Sequence, residues 1–298
     1  MTQTAVFGLG SMGAGMAASC VQAGLPTFGF DVNPEAVARF EAVGGQRATL
    51  EEIAPHLKAV LVVVLNAAQT EAVLFGPEAL VPQLSEGAVV ISCATVPPAF
   101  ARDMEQRCAA HGVHYLDAPI SGGAAKAAAG QLSVMASGTA QAFAAAEPVL
   151  EATAETVFRL GEAAGAGSAM KSVNQLLAGV HIATMAEALT FGMTQGVSPE
   201  SFVEVISKCA GTSWMLENRA PHIVAGDYAP LSQINIWPKD LGIVLETAKA
   251  AGFSAPITAA ALQQYMVAVG MGLGGEDDAA IAKVYARNAG LTLPGSGD

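Results

Sequence analysis

A glycine run near the start of the chain limits its fold more than any other feature. Gly8-Leu9-Gly10-Ser11-Met12-Gly13 has the form G-x-G-x-x-G, directly after the apolar stretch Ala5–Phe7 and directly before an Ala-rich helical stretch. A strand that passes through such a run into a helix opens a βαβ unit. Gly8 permits the tight turn, Gly10 lets the backbone approach a pyrophosphate, and Gly13 allows close helix–strand packing, while free N–H groups at the helix start receive the phosphates. Asp31 ends the next strand 18 residues after Gly13, where an acid hydrogen-bonds the ribose hydroxyls of an adenosine. A carboxylate there repels a 2′-phosphate, and Val32-Asn33-Pro34-Glu35 brings no Arg, so NAD is expected rather than NADP. Asp31 also suits a turn before Asn33-Pro34, and the two roles are compatible.

Short β-branched runs continue to alternate with Ala-rich stretches up to about residue 160, the pattern of an α/β fold around a parallel sheet. Strands are expected at 4–8, 27–31, 59–65, 88–92, 113–117, 132–136 and 156–160. Residues 161–167 (GEAAGAG) break the pattern, and helical periodicity takes over from 168–195 onward. The reading is an N-terminal Rossmann dinucleotide-binding domain over 1–164 and a C-terminal all-α domain over 165–298, joined by a long interdomain helix. Further helix starts are expected at Ser198-Pro199-Glu200, near Ser213, and at Lys239 just after Pro238. The tail from Pro294 to Asp298 is expected to fray and to carry no function.

Composition removes several function classes. With 298 residues, 52% hydrophobic and 13% charged, the chain can bury a large core and form two domains. Its net charge of -12, with no cluster of basic residues, argues against nucleic acid as a partner. A small anionic substrate stays compatible, because a few lysines in a pocket set the local potential. The four cysteines (Cys20, Cys93, Cys108 and Cys209) are scattered and read as reduced thiols, and no His or Cys spacing suits a metal. No signal-peptide pattern opens the chain, and Ala59–Leu65 is too short to span a bilayer. No membrane span is expected, and the cytoplasm is the expected compartment.

Transfer of a hydride to a nicotinamide requires a group to take the hydroxyl proton and donors to hold a substrate carboxylate. Ser121-Gly122-Gly123, after the fifth strand, offers a hydroxyl with consecutive N–H groups that can form an anion-holding concavity. On the helix starting near Ser168, Lys171, Asn174 and Gln175 stand at i, i+3 and i+4 and share one face. Lysines are normally solvated, but Lys171 lies among Ala169, Met170, Val173, Leu176 and Leu177, and an amine in such surroundings gives up its proton more readily. Asn66 and Thr95, each following a strand, are further cofactor candidates, although polar residues there often serve only as caps. Lys239 can reach back toward the cofactor or simply open a surface helix. His181 can face substrate or pack between helices and is read as packing, while Trp214 and Met215 can line the pocket but are read as core residues.

Taken together, GLGSMG, DVNP, DAPISGG, GAGSAMKSVNQ and KDL occur in the order and spacing of the β-hydroxyacid dehydrogenase family, and this chain resembles that family over nearly its whole length. The resemblance implies homodimers or homotetramers through the helical domain, with Ser121, Gly122 and Gly123 on the substrate carboxylate of a small hydroxy acid. It further implies Lys171 as catalytic acid/base, Asn174 as an orienting residue and Lys239 near the nicotinamide. The family pattern is Lys-x-x-Asn-Asn, whereas Gln175 stands at the last position here and is expected to extend a longer amide toward the substrate. NAAQ, VLFG, QLLAGVHIA, WMLENR, GEDDAAI and LTLPG resemble the branch of the family that oxidises L-threonate. Reduction of tartronate semialdehyde, oxidation of 3-hydroxyisobutyrate and a non-catalytic dinucleotide-binding role are the alternatives; the presence of Lys171 argues against the last.

Overall fold

The structure, a computed structural model, describes residues 2–295, so residues 296–298 of the tail lie outside the described residues. It divides into two units, residues 1–171 and 172–298. The first contains β1 (Thr4–Phe7), α1 (Ser11–Gln22), β2 (Thr27–Phe30), α2 (Pro34–Ala42), α3 (Leu50–Ile53), β3 (Ala59–Val62), α4 (Ala67–Phe75), β4 (Val89–Ser92) and α5 (Pro98–Ala109). It continues with β5 (His114–Asp117), β6 (Ile120–Ser121), α6 (Gly123–Ala128), β7 (Leu132–Ala136), α7 (Ala140–Thr153), β8 (Ala154–Arg159) and the first turn and a half of α8 (Ala166–Thr194).

Five strands form one parallel sheet in the order β2-β1-β3-β4-β5. Alternate residues of these strands enter two separate apolar layers. Val6, Leu61 and Ile91 pack with Met16, Phe40 and Val149 on one side. Ala5, Val60, Val62 and Val90 pack with Leu74, Leu80 and Met104 on the other. A sheet buried on both faces needs continuous apolar runs, which explains why the strands were legible as AVLV and VVIS. β1 stands between β2 and β3, so the chain reverses its lateral direction there and the glycine run leaves the carboxyl end of β1 at a topological switch point.

The last two expected strands do not extend that parallel sheet. They are β7 and β8 of a separate three-stranded sheet, β6-β7-β8, in which β6 runs antiparallel to β7. β6 is two residues long, too short to leave a periodic signal in the sequence.

The second unit holds the rest of α8 with α9 (Pro199–Ile206), α10 (Trp214–Ala225), α11 (Ile236–Ala250), α12 (Pro256–Gly270) and α13 (Ala282–Asn288). Ser198 and Ser213 cap α9 and α10, accepting from the Ser201 and Leu216 amides at 3.2 and 3.1 Å. α11 begins at Ile236 rather than Lys239. Pro238 lies inside its first turn, where a missing N–H costs no helical hydrogen bond. Among the described residues, α8 alone has the length (29 residues) and mean hydropathy (1.4) of a membrane span. Its inward face delivers Ile182, Met185 and Leu189 to the apolar core of the second unit with Leu216, Ile223, Leu241 and Tyr265, as a core helix does.

Candidate active site

In the first unit, the glycine run is built as a dinucleotide cradle. Gly8 adopts φ +96°, and a Cβ there would stand 2.3 Å from the Val63 carbonyl oxygen. A Cβ on Gly13 would stand 1.9 Å from the Gly8 oxygen. Gly10 differs: a Cβ on it would meet no protein atom within 4 Å. The protein itself therefore places no demand on Gly10, and the open space over the first turn of α1 fits a pyrophosphate. No side chain caps that helix start, so its N–H groups remain directed outward beside the exposed Ser11 and half-buried Met12.

Asp31 accepts from the Leu9 amide at 2.6 Å and from the Asn33 amide at 2.7 Å. It thus ties the end of β2 to the glycine run while keeping acceptor capacity for a ribose. Asn66 accepts from the Gln69 amide at 2.9 Å and caps α4, and Thr95 is half-buried beyond β4. These donors and this space fit a bound NAD.

Lys171 lies near the beginning of α8 and is only 8% exposed, yet its apolar sequence neighbours do not bury it: Met170, Val173 and Leu177 are 45%, 54% and 50% exposed. Nζ instead donates to the Ile120 carbonyl at 2.9 Å. Ile120 directly precedes Ser121-Gly122-Gly123, so the amine is held against the strand that presents that motif. Gly122 and Gly123 have φ +137° and +80°, backbone that favours glycine, and a Cβ on Gly123 would meet open space. Ser121 and Gly122 are half-buried and Gly123 is exposed.

The residue that fixes this arrangement was part of a quoted motif but had no assigned role. Asp117, 1% exposed at the end of β5, accepts from the Gly165 and Ser168 amides at 2.9 and 2.8 Å. It also accepts from the Ser168 hydroxyl at 2.6 Å and the Ser137 hydroxyl at 3.3 Å. A buried carboxylate thus anchors the start of the helix that carries Lys171, favourably placed at the helix's positive end. Burial pushes its proton affinity up, and these hydrogen bonds only partly offset the effect. The sequence signal was an acid at a strand end with a serine three residues before the helix lysine.

In the second unit, Asn174, Gln175, Lys239 and Asp240 form one chain of contacts. Asn174 Nδ2 donates to Gln175 Oε1 at 2.9 Å, and Gln175 Nε2 donates to Asp240 Oδ2 at 2.5 Å. Lys239 Nζ lies 2.6 Å from Asp240 Oδ1, an ion pair without directed hydrogen-bond geometry. Gln175 therefore departs from expectation. Gln175 is 8% exposed, and its amide accepts from Asn174 and donates to Asp240, partners that the sequence reading did not give it. Asp240, also buried, is a second residue that the sequence reading passed over. Trp237, just upstream, donates from Nε1 to Asp278 at 3.1 Å, and Asp278 pairs with Arg219, so a buried ion pair holds the start of α11.

His181 is half-buried and, with Phe202, Thr212 and Leu216, lines a cavity of about 390 Å³. Trp214 is 64% exposed, so it is not a core residue, while Met215 packs against the apolar core of the second unit. Cys20, Cys93 and Cys108 are buried, which pushes each thiol up to about 12 and leaves it inert. No cluster of metal ligands occurs among the described residues.

Residues 3–161 match the family described as the NAD binding domain of 6-phosphogluconate dehydrogenase. Residues 165–285 match that described as the NAD-binding domain of NADP-dependent 3-hydroxyisobutyrate dehydrogenase. An L-threonate dehydrogenase of Cupriavidus necator is 49% identical over 294 residues, 98% of each chain. A crystal structure from Salmonella typhimurium, described as 3-hydroxyisobutyrate dehydrogenase, superposes with a TM-score of 0.89 at 43% identity, over 95% of this chain and 100% of that one. A Mycobacterium tuberculosis 3-hydroxyisobutyrate dehydrogenase solved with L-serine gives 0.84 at 28% identity, over 95% and 98%. With this glycine cradle, this buried lysine and these relatives, the chain belongs to the β-hydroxyacid dehydrogenase family, the 3-hydroxyisobutyrate dehydrogenase-like proteins. Within it the chain falls in the L-threonate dehydrogenase branch, and it is an NAD-dependent dehydrogenase acting on CH–OH groups.

Proposed function

We propose that the chain oxidises L-threonate at C2 to 2-oxo-L-threonate (2-dehydro-L-erythronate), in the catabolism of four-carbon sugar acids, with Lys171 as the acid/base. The observation that carries this reading is the placement of Lys171: a buried amine held 2.9 Å from the carbonyl of Ile120, immediately before the Ser121-Gly122-Gly123 motif. NAD, when bound, supplies the hydride acceptor. The Ser121 hydroxyl and the amides of Gly122 and Gly123 hold the substrate carboxylate. Neutral Lys171 takes the C2 hydroxyl proton as the C2 hydride leaves, so the alcohol becomes a ketone, and the new ammonium hydrogen-bonds that carbonyl. Asn174 is assigned to orient the substrate, and Lys239, which pairs with Asp240, is assigned to the nicotinamide.

The relatives' names carry the choice of L-threonate, since the Cupriavidus necator protein bears that name at 49% identity. The description of the Salmonella typhimurium structure supports 3-hydroxyisobutyrate as the second reading. The test is a panel of L-threonate, D-threonate, D-glycerate, tartrate and 3-hydroxyisobutyrate, each with NAD and with NADP, followed by absorbance of the reduced nicotinamide. The highest kcat/KM is expected for L-threonate with NAD. A higher value for 3-hydroxyisobutyrate would replace the substrate, and NADP preference would overturn the role of Asp31.

A further inference from the structure

The Ser121-Gly122-Gly123 backbone runs straight into α6, and α6 is seated on the helix that starts at the glycine run. Of its six residues, Ala127 alone is buried. Its seat is Gly15, one turn into α1, where a Cβ would stand 2.7 Å from the Ala128 nitrogen and 2.9 Å from the Ala127 carbonyl carbon. Ser19, one turn further along the same face and 4% exposed, donates to the Ala127 carbonyl at 3.0 Å, with the Ala128 carbonyl at 3.4 Å. These carbonyls end α6, where a helix leaves such groups without partners of its own. The ion pair of Lys126 with Glu155 at 3.3 Å is about half exposed on both sides and adds little.

We infer that Gly15 and Ser19 are positioning residues for the hydride transfer: they fix the distance between the dinucleotide cradle at the start of α1 and the loop that holds the substrate carboxylate. The inference rests on the proposed reading in taking Ser121-Gly122-Gly123 to hold that carboxylate. Of the two helices, α1 is the fixed partner. Met16, Ala17 and Cys20 anchor it in the apolar layer of Val6 and Leu61, and Gly13 is closed against the Gly8 oxygen. α6 is the one that yields, because it follows two glycines at φ +137° and +80°. A methyl on Gly15 meets backbone atoms, which no rotamer change moves aside. Ordinary contact begins at about 3.5 Å, so α6 gives way by roughly 0.5–1 Å and carries the loop with it. Misplacement of the reacting atoms by about 1 Å can cost about 100-fold in rate.

The experiment measures Gly15→Ala, Ser19→Ala and the wild type with the acid of the panel that each turns over fastest, so its outcome does not depend on L-threonate. NAD is titrated by fluorescence, which gives its dissociation constant and the number of folded sites. In Gly15→Ala, kcat per NAD-binding site is expected to fall roughly 10- to 100-fold, while KM for the acid and the dissociation constant for NAD stay within about threefold. The slowed step is the hydride transfer, so deuterium at the carbinol carbon must give a primary isotope effect on kcat. Ser19→Ala adds no bulk and only releases the end of α6, and a fall of roughly 2- to 10-fold is expected. Val149→Ala, a truncation in the same apolar layer, lowers the melting temperature but keeps kcat per site.

Unchanged kcat per site in Gly15→Ala overturns the inference, as does a slowed variant without an isotope effect. A parallel loss of NAD affinity would assign the contact to the cradle alone, and an equal fall in Val149→Ala would mark a merely structural role; either overturns it too. Should Gly15→Ala fail to fold, Ser19→Ala decides by the same measures. Ser121→Ala separates the underlying reading. If it leaves KM for the acid unchanged, the carboxylate role of the loop falls and the inference with it, whereas a raised KM beside an unaffected Gly15→Ala overturns the inference alone.

Discussion

Lys171 and Arg219 are the basic side chains buried among the described residues, and they are satisfied in different ways. Arg219 pairs with a buried carboxylate, Asp278, whereas the Lys171 amine donates to a backbone carbonyl beside the Ser-Gly-Gly motif. General acid–base catalysis contributes about 100- to 10,000-fold, so Lys171→Ala is expected to lower kcat by that order while the dissociation constant for NAD stays within about twofold. Steady-state kinetics and fluorescence titration of NAD check the two halves separately. Asp117 yields a prediction of unusual sign. Burial raises its proton affinity in the folded chain above the ordinary value of 3.8, so the folded state binds this proton more tightly than the unfolded state does. Its ionised form therefore costs stability at neutral pH, and that cost is relieved as pH falls toward the ordinary carboxylate range. Asp117→Asn cannot titrate. The melting temperature of the wild type relative to Asp117→Asn is expected to rise on going from neutral pH down toward pH 4, whatever the offset between them at neutrality. A difference that stays flat, or that falls, would refute the raised affinity.

Among the elements, the passage from β1 through the glycine run into α1 separates two kinds of glycine. Gly8 is required by the chain itself, with its positive φ and the Val63 carbonyl against the missing side chain, so Gly8→Ala should cost roughly 1–3 kcal/mol of stability. Gly10 is required by nothing in the protein. Gly10→Ala should leave the melting temperature within a few degrees yet weaken NAD binding by about tenfold or more, roughly 1.4 kcal/mol, because the methyl occupies space meant for phosphate. Thermal unfolding with NAD titration on both variants tests the division. What the sequence disclosed follows the same line between local and distant. The glycine run, the five buried strands and the serine caps of α9 and α10 are written in adjacent residues, and their positions were read to within a few residues. Asp117, which meets Ser168 51 residues away, and Asp240, which meets Gln175 65 residues away, find their partners so far along the chain that no local pattern pairs them. Gln175 shows the limit most clearly. Its departure from the family pattern was visible, but the direction of its amide depended on a carboxylate from α11. The second sheet was missed for a related reason, since β6 is defined by its partner β7 rather than by its own two residues.

At the scale of the whole chain, two apolar layers flank the parallel sheet and a third core fills the helical unit, but α8 is not fully covered. Val173, Leu177 and Phe191 are 54%, 50% and 66% exposed. At 100° per residue they fall within about 40° of one another on the helix, so they form an outward apolar stripe opposite the face that delivers Ile182 and Leu189 to the core. Such a stripe on a chain with net charge -12 is best covered by a second copy: each copy brings the same apolar strip, and the contact adds no new acidic surface to bury. The homodimer or homotetramer that the family resemblance implies is therefore expected to assemble through α8. Full burial of a phenylalanine is worth roughly 1.5–3 kcal/mol, and a two-fold contact uses Phe191 from both copies. Phe191→Glu should then weaken self-association by about 100- to 10,000-fold, with two carboxylates added to the contact. Analytical ultracentrifugation is expected to show the wild type as a dimer or tetramer and Phe191→Glu as a monomer at the same micromolar concentration, with NAD binding retained because the glycine run lies in the other unit. A wild type that sediments as a monomer would remove the interface from α8, and a variant that stays assembled would move it to another face of the helical unit.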